Sequence, residues 1–256
     1  MSAPGLRRRG AALTATADPA EPDLSIVLLA YDEEENVRPV LEELLAWLAV
    51  HAPSSEVVVV DDGSRDRTSA RAAEALAGVR HRIERHETNR GIGAALKTGV
   101  RAARGRYVTF LPADGQIEPE AVGVLRAEAE RTGADVVLSV YAGRDDGLAR
   151  TVLSAGVRTL ITVVHGVRLR SDGPYLFRRR LFQPDDLPPD TFFLNFEFPI
   201  RALASGLAVR TVTIRCRPRR AGVSKSARVG RALGVARDLL DMRWRRWSRA
   251  ARILAG

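Results

Sequence analysis

Apolar residues follow two alternating rhythms along the first 140 positions. Short β-branched or apolar runs of strand length occupy Leu24–Ala30, Glu56–Val60, Arg106–Leu111 and Asp135–Val140, with a weaker one at His81–His86. Between them the apolar positions fall three or four apart, as one face of a helix requires. Glu33–Val50 shows this with Val37, Val40, Leu41, Leu44, Leu45 and Leu48. Asp66–Leu76, Gly91–Ala103 and Pro119–Thr132 read as further helices, the last with Pro119 in its first turn, where no N–H is needed. This alternation predicts an α/β fold: a mostly parallel, Rossmann-like sheet with helices on both faces. In such a sheet, ligands bind beyond the carboxyl ends of the strands.

The second half is less regular. Leu148–Val164 reads as a helix interrupted by polar residues, and Leu176–Phe182 as a strand or strand-like turn. Pro184–Pro189 is a loop, Phe192–Ala204 a helix containing Pro199, and Leu207–Cys216 a strand. Ser226–Leu254 is predicted as one long basic helix or a pair. Val229, Leu233, Ala236, Leu240, Trp244, Trp247, Ala251 and Leu254 share one face, and Arg228, Arg231, Arg245, Arg246, Arg249 and Arg252 lie largely on the other. An apolar stripe with tryptophans beside arginines suits a helix lying in a membrane interface. Packing against the body of the protein or against a membrane partner subunit is the alternative. The organisation predicted is a disordered tail over 1–23, one domain over 24–225, and a basic amphipathic segment over 226–256.

Composition narrows the partners. A chain of 256 residues is long enough for one large α/β domain with its own core. The net charge is +9, and about 15 arginines and lysines against two acids lie from Arg201 onward. The basic end therefore calls for a phosphate-rich surface, a membrane or a nucleic acid. Acids at the strand ends would repel a nucleic-acid backbone, and no nucleic-acid-binding motif is present, so no nucleic-acid partner is expected. The single cysteine, Cys216, excludes an internal disulfide and a cysteine-based zinc site. No run of about 18 apolar residues predicts a transmembrane helix, and Met1–Asp23 lacks the apolar core of a signal peptide. The expected location is the cytoplasm, peripherally on the cytoplasmic face of the membrane.

The chemistry gathers at three strand ends. The first is Ala30-Tyr31-Asp32-Glu33-Glu34-Glu35-Asn36, readable as an acidic helix start. The second follows four valines, Val57–Val60, with Asp61-Asp62-Gly63-Ser64-Arg65-Asp66-Arg67-Thr68, readable as a turn and helix cap. Two carboxylates delivered to one point by a buried strand are costly without a cation or a hydrogen-bonding ligand. The third is Tyr107 to Gln116. Alternate residues of an extended chain point the same way, so Asp114 and Gln116 can reach one divalent ion. Asn89-Arg90-Gly91-Ile92-Gly93 is also expected to bring backbone N–H groups near a phosphate. Its third fingerprint glycine is replaced by Leu96, which argues against a dinucleotide site.

Together these segments resemble the family 2 glycosyltransferases of the GT-A fold, and within them the dolichol- and polyprenol-phosphate sugar synthases. The resemblance covers about Leu24 to Lys225 and rests on Tyr31-Asp32-Glu33-Glu34, on Asp61-Asp62-Gly63-Ser64 with Asp66 and Thr68, and on Ala113-Asp114-Gly115-Gln116. It implies that Ala30, Tyr31, Glu33 and Asp61, with Asp62 and Ala113, line the pocket of a nucleotide sugar, GDP-mannose or UDP-glucose. It implies Mg2+ or Mn2+ on Asp114 and Gln116. Pro112 replaces the first carboxylate of the family's D-x-D, so weaker metal binding without nucleotide is expected; an inactive donor-binding protein is the other outcome. Arg150 and Ser154 match an R-x-x-x-S element that grips an acceptor phosphate, with Arg158 continuing the stripe. Arg144 resembles part of a G-S-R turn, and Arg219 through Lys225 matches R-x-x-G-x-S-K, whose Arg219 and Lys225 would clamp phosphates. The implied reaction is inverting transfer of a hexose to polyprenyl or dolichyl phosphate. A glycan or other soluble acceptor is the nearest alternative.

Overall fold

The computed structural model describes residues 21–142, 147–187, 190–191, 193–218 and 237–244, leaving out the side chains of 147–154. Seven strands form one sheet in the order β3-β2-β1-β4-β6-β5-β7. They are β1 (Leu24–Ala30), β2 (Ser55–Asp61), β3 (His81–Arg85), β4 (Tyr107–Pro112), β5 (Val136–Tyr141), β6 (Leu176–Arg178) and β7 (Val209–Ile214). All pair in parallel except β6, which runs antiparallel between β4 and β5. The helices are α1 (Val37–His51), α2 (Thr68–Ala75), α3 (Ile92–Ala102), α4 (Glu120–Thr132), α5 (Gly147–His165) and α6 (Leu194–Ala204). Residues 237–244 form a further helix, α7.

The central strands are apolar throughout because both faces are covered. Leu24, Ile26, Leu28, Val57 and Val59 pack beneath α1, α2 and α4. Their neighbours Val27, Leu29, Val58 and Val60 pack on the other face with α3, α5 and α6. The period of two survives as a choice between two cores rather than between core and water.

Three predicted boundaries shift for local reasons, and one further helix keeps its predicted end. α1 begins at Val37, because Asn36 and Val37 both donate to the Glu33 carbonyl, at 3.0 and 2.8 Å, and close a turn over 33–36. Pro119 sits at the cap of α4, one place before its first helical residue. Strand β6 ends at Arg178 and passes into a 3-10 turn over Arg179–Leu181. α6 continues through Pro199 to Ala204. Of the basic C-terminal helix, only 237–244 falls within the described residues.

Candidate functional site

Strand register sets the acids side by side. Ala30 is paired with Asp61 across β1 and β2, and Leu29 with Pro112 across β1 and β4. The Asp62 N–H donates to the Ala30 carbonyl at 2.8 Å, and the Ala113 N–H to Leu29 at 2.9 Å. All three acidic loops therefore leave the sheet at one edge, its carboxyl side. Asp61 and Asp114 stand two strand spacings apart, on the order of 10 Å.

The first two loops are laced together. Asp32 and Glu33 donate their N–H groups to Ser64 Oγ (2.9 Å) and Thr68 Oγ1 (2.8 Å). Glu34 N–H donates to Asp66 Oδ2 at 3.1 Å. In return Arg65 N–H reaches Asp32 Oδ1 at 2.9 Å and Arg67 N–H reaches Glu34 Oε2 at 3.1 Å. Much of the acidity at these ends is thus structural: it satisfies backbone N–H groups that the sheet leaves over. Asp32 even takes a positive φ of 48° to serve this lacing. Glu33, nearly buried, accepts from Asn36 Nδ2 at 2.7 Å.

Asp61 and Asp62 divide their work. Asp62 is buried and accepts from Arg90 N–H (2.9 Å) and Gly91 N–H (2.8 Å), while His86 Nδ1 lies 2.7 Å from its Oδ1. Its carboxylate holds the 86–91 loop against the end of β2. Asp61 is fully buried; its Oδ1 accepts from Ser64 N–H at 2.8 Å. Its Oδ2 accepts no hydrogen bond and is ion-paired with the Arg85 guanidinium, whose Nε is 3.5 Å away. A buried carboxylate oxygen left in this way is poised for an N–H or O–H donor of a ligand. Gly63 lets the loops meet: a Cβ there would lie 2.4 Å from the Thr88 carbonyl carbon, and its φ is +76°.

The expectation of a phosphate cradle at Asn89–Gly93 is corrected. The N–H groups of Arg90 and Gly91 are taken by Asp62, and that of Ala94 by the Asp190 carbonyl at 3.2 Å. Gly93 is required because a Cβ would sit 2.4 Å from the Thr191 carbonyl oxygen. Gly93 thereby admits the 190–191 segment, which Lys97 secures through Asp190 at 2.8 Å, while Gly91 supplies a φ of +93°. The partner lies about a hundred residues away, which is why local spacing misread it.

At the third strand end, Asp114 and Gln116 are both half-buried, and Gln116 N–H donates to Asp114 Oδ1 at 3.0 Å. The segment is an Asx turn with Gly115 at φ +72° rather than the extended chain expected, because β4 ends at Pro112; a turn, not strand alternation, brings Asp114 and Gln116 together. Among the described residues no group of three or more His, Cys, Asp and Glu side chains converges on a possible metal position. The oxygen donors of Asp114 and Gln116 still fit a hard divalent cation such as Mg2+ or Mn2+, with the remaining ligands coming from phosphate and water. Sequence reasoning missed Arg217, which bonds to this turn.

Of the expected phosphate-binding residues, Arg144, Arg219 and Lys225 lie outside the described residues. So do the side chains of Arg150 and Ser154, although α5 carries both positions. Arg158 of the same stripe stands 3.6 Å from Asp172 as an ion pair.

The sequence pattern described as Glycosyl transferase family 2 matches residues 25–197. A dodecaprenyl-phosphate galacturonate synthase of Rhizobium johnstonii is 33% identical over 162 residues, 62% of this chain and 48% of that protein. An undecaprenyl-phosphate 4-deoxy-4-formamido-L-arabinose transferase of Pectobacterium atrosepticum is 32% identical over 163 residues, 62% of this chain and 50% of that protein. The chain spans about half the length of the curated relatives it matches. Among solved structures, glucosyl-3-phosphoglycerate synthase from Mycobacterium tuberculosis, in complex with Mn2+, UDP and glucosyl-3-phosphoglycerate, aligns with a TM-score of 0.60 at 25% identity. The alignment covers 86% of this chain and 78% of that one.

Proposed function

The chain belongs to glycosyl transferase family 2 and has the GT-A fold, and on that premise we propose that it transfers a sugar, mannose or glucose, from a nucleoside-diphosphate donor to a polyprenyl phosphate. The observation that best supports donor binding is the buried Asp61 Oδ2 without a hydrogen bond, two strands from the Asp114–Gln116 turn. That spacing suits a nucleoside whose base meets Asp61 and whose diphosphate reaches Asp114. Support for the acceptor comes from the two relatives. Their names differ in the sugar, a galacturonate and a formamido-arabinose, and agree on a polyprenyl phosphate.

In the proposed reaction an acceptor phosphate oxygen forms a bond to the anomeric carbon. The bond from that carbon to the donor's diphosphate breaks, and its electron pair leaves with the nucleoside diphosphate. A phosphate monoester is already largely charged at neutral pH, with a second pKa near about 6, so no general base is needed. Ala30, Tyr31, Glu33 and Asp61 line the base and ribose, with Asp62 holding the loop behind Asp61. Asp114 and Gln116 would hold Mg2+ or Mn2+, which when bound would supply positive charge to the leaving diphosphate. Arg150 and Ser154 orient the acceptor phosphate, and Arg144, Arg219 and Lys225 add positive charge around the departing group.

The test is to incubate the full chain with Mn2+, undecaprenyl phosphate in detergent and radiolabelled UDP-glucose or GDP-mannose. Label is expected in the lipid phase and is expected to be lost with Arg150→Ala. A second reading, a soluble phosphorylated acceptor, is favoured by the solved relative whose complex contains glucosyl-3-phosphoglycerate. Label entering 3-phosphoglycerate and never the lipid would replace the first reading with the second.

A lipid acceptor needs an approach to the membrane, and no helix among the described residues is long and apolar enough to cross one. Helix α7 supports peripheral attachment. Leu239 and Met242 are buried in the core, and the Leu239 carbonyl meets His165 Nε2 at 3.2 Å. On its other side Leu240 and Trp244 are 57% and 68% exposed, and Val163 of α5 is 78% exposed. Packing on the body and facing a bilayer are therefore compatible, because different residues serve each. Leu240→Glu with Trp244→Glu spares the buried face and is expected to abolish co-flotation with anionic liposomes at an unchanged melting temperature. Undiminished flotation would remove α7 from the membrane contact.

A further inference from the structure

Arg217 follows β7 by three residues and joins three parts of the fold. Its N–H donates to the Gln116 carbonyl at 2.9 Å, and its Nε to the Gly115 carbonyl at 2.5 Å. Its two terminal nitrogens grip Glu43 of α1 as a bidentate pair, Nη1 to Oε1 at 2.9 Å and Nη2 to Oε2 at 2.7 Å. Glu118 stands 3.7 Å from Nη1. The Glu43 hydrogen bond raises the guanidinium pKa above its ordinary value, against the opposing effect of partial burial.

This arrangement constrains one peptide group in particular. The Asx turn at Asp114 ties down the Gln116 N–H but not the peptide that follows it. Rotation of the next peptide would still swing the Gln116 side chain relative to Asp114, and positive φ at Gly115 makes that segment of backbone compliant. Two successive carbonyls bonded to one arginine, itself tied down by α1, remove this freedom. Bidentate arginine–carboxylate pairs hold orientation as well as charge. In the sequence Arg219 and Lys225 follow Arg217 by two and eight positions.

We propose that Arg217, clasped by Glu43, is a positioning residue that sets the angle at which Asp114 and Gln116 face the metal–diphosphate group. The inference rests on the nucleotide-sugar reading above and adds a residue that the family motifs do not include. It makes the metal-dependent part of nucleotide affinity depend on an arginine that touches neither metal nor nucleotide.

Calorimetry on the full chain separates the possibilities, with UDP titrated in the presence and absence of Mn2+. For wild type, Mn2+ is expected to strengthen UDP binding. Arg217→Ala is expected to weaken Mn2+–UDP binding about 10–100-fold, the range found when a group supporting a metal ligand is lost. Metal-free UDP affinity, which depends on the β1 and β2 ends, stays at the wild-type value. Glu43→Gln is expected to give a smaller loss of the same kind. The double variant is expected to be no worse than Arg217→Ala, since both residues act through one link. Arg217→Lys, which keeps the charge and supplies donors for one carbonyl, recovers part of the loss and serves if the alanine variant folds poorly. Unchanged Mn2+–UDP affinity in the arginine variants, or an equal fall in metal-free affinity, overturns the positioning role alone. Wild type showing no gain from Mn2+ overturns it together with the metal-dependent donor reading.

Discussion

Asp114→Ala is expected to slow sugar transfer about a thousandfold, which corresponds to roughly 4 kcal/mol of lost transition-state stabilisation. The effect is large because Pro112 stands where a second carboxylate could share the ion, so no neighbouring acid in the turn can substitute. Alanine also removes the acceptor of the Gln116 N–H bond, a structural loss of about 1 kcal/mol. Asp114→Asn distinguishes the two consequences, since its carbonyl oxygen still accepts that bond while the charge is gone. Its urea midpoint is expected to match wild type, with transfer still reduced about a hundredfold or more. Measured transfer of radiolabel at several Mn2+ concentrations checks this. An asparagine variant with wild-type rate and wild-type metal dependence would move the ion away from Asp114.

The same turn bears on whether the chain is an active enzyme or only a donor-binding protein. One carboxylate and one carboxamide make a weak metal site alone, and no group of three or more acidic, His or Cys side chains able to hold a metal stands among the described residues. A cation such as Mg2+ retains several waters and is commonly shared between one or two carboxylates and substrate phosphates. Loss of one carboxylate is therefore compatible with activity where nucleotide and metal enter together. Rigidity then matters more than charge count, which is the role assigned to Arg217.

What the residue pattern conveyed depended on how local the cause was. Strands β1, β2, β4 and β5 lie within one residue of expectation, because a strand buried on both faces is written as an uninterrupted apolar run. The reversed direction of β6 was not legible, since three residues alternate identically in either direction. Asp61 and Asp62 were legible as a pair, but their division of labour was not. It depends on His86, Arg90 and Gly91, which reach Asp62 from across a helix and a strand. Gly91 and Gly93 resembled a phosphate cradle because the segment that Gly93 admits, 190–191, and the carboxylate that takes the Gly91 N–H, Asp62, are both remote in sequence. Leu240 and Trp244 were legible as an exposed apolar stripe; that Leu239 and Met242 anchor the same helix in the core was not.

Asp62→Ala is expected to cost about 3–5 kcal/mol of folding free energy, out of a total of about 5–15 kcal/mol for a typical domain. Asp62 is 4% exposed and serves three donors: the Arg90 and Gly91 backbone N–H groups and His86 Nδ1, whose ring is otherwise bonded, among the described residues, only at Nε2, to Thr98 Oγ1. Each buried donor left without an acceptor costs about 1–3 kcal/mol. Asp62→Asn should fall between alanine and wild type, because one carboxamide oxygen can still accept while its NH2 group opposes a neighbouring N–H. Urea unfolding measures both. Nucleotide affinity should fall with stability in the alanine variant. The loop that Asp62 holds donates the His86 N–H to the Asp61 carbonyl at 2.9 Å and packs its Thr88–Asn89 backbone over Gly63. Releasing that loop frees Asp61 to relax into water, where an unbonded carboxylate oxygen no longer favours a ligand. An alanine variant with wild-type urea midpoint and weakened UDP binding would instead make Asp62 a direct ligand contact, and the loop would then be held by the His86 N–H bond to Asp61 and the close packing at Gly63.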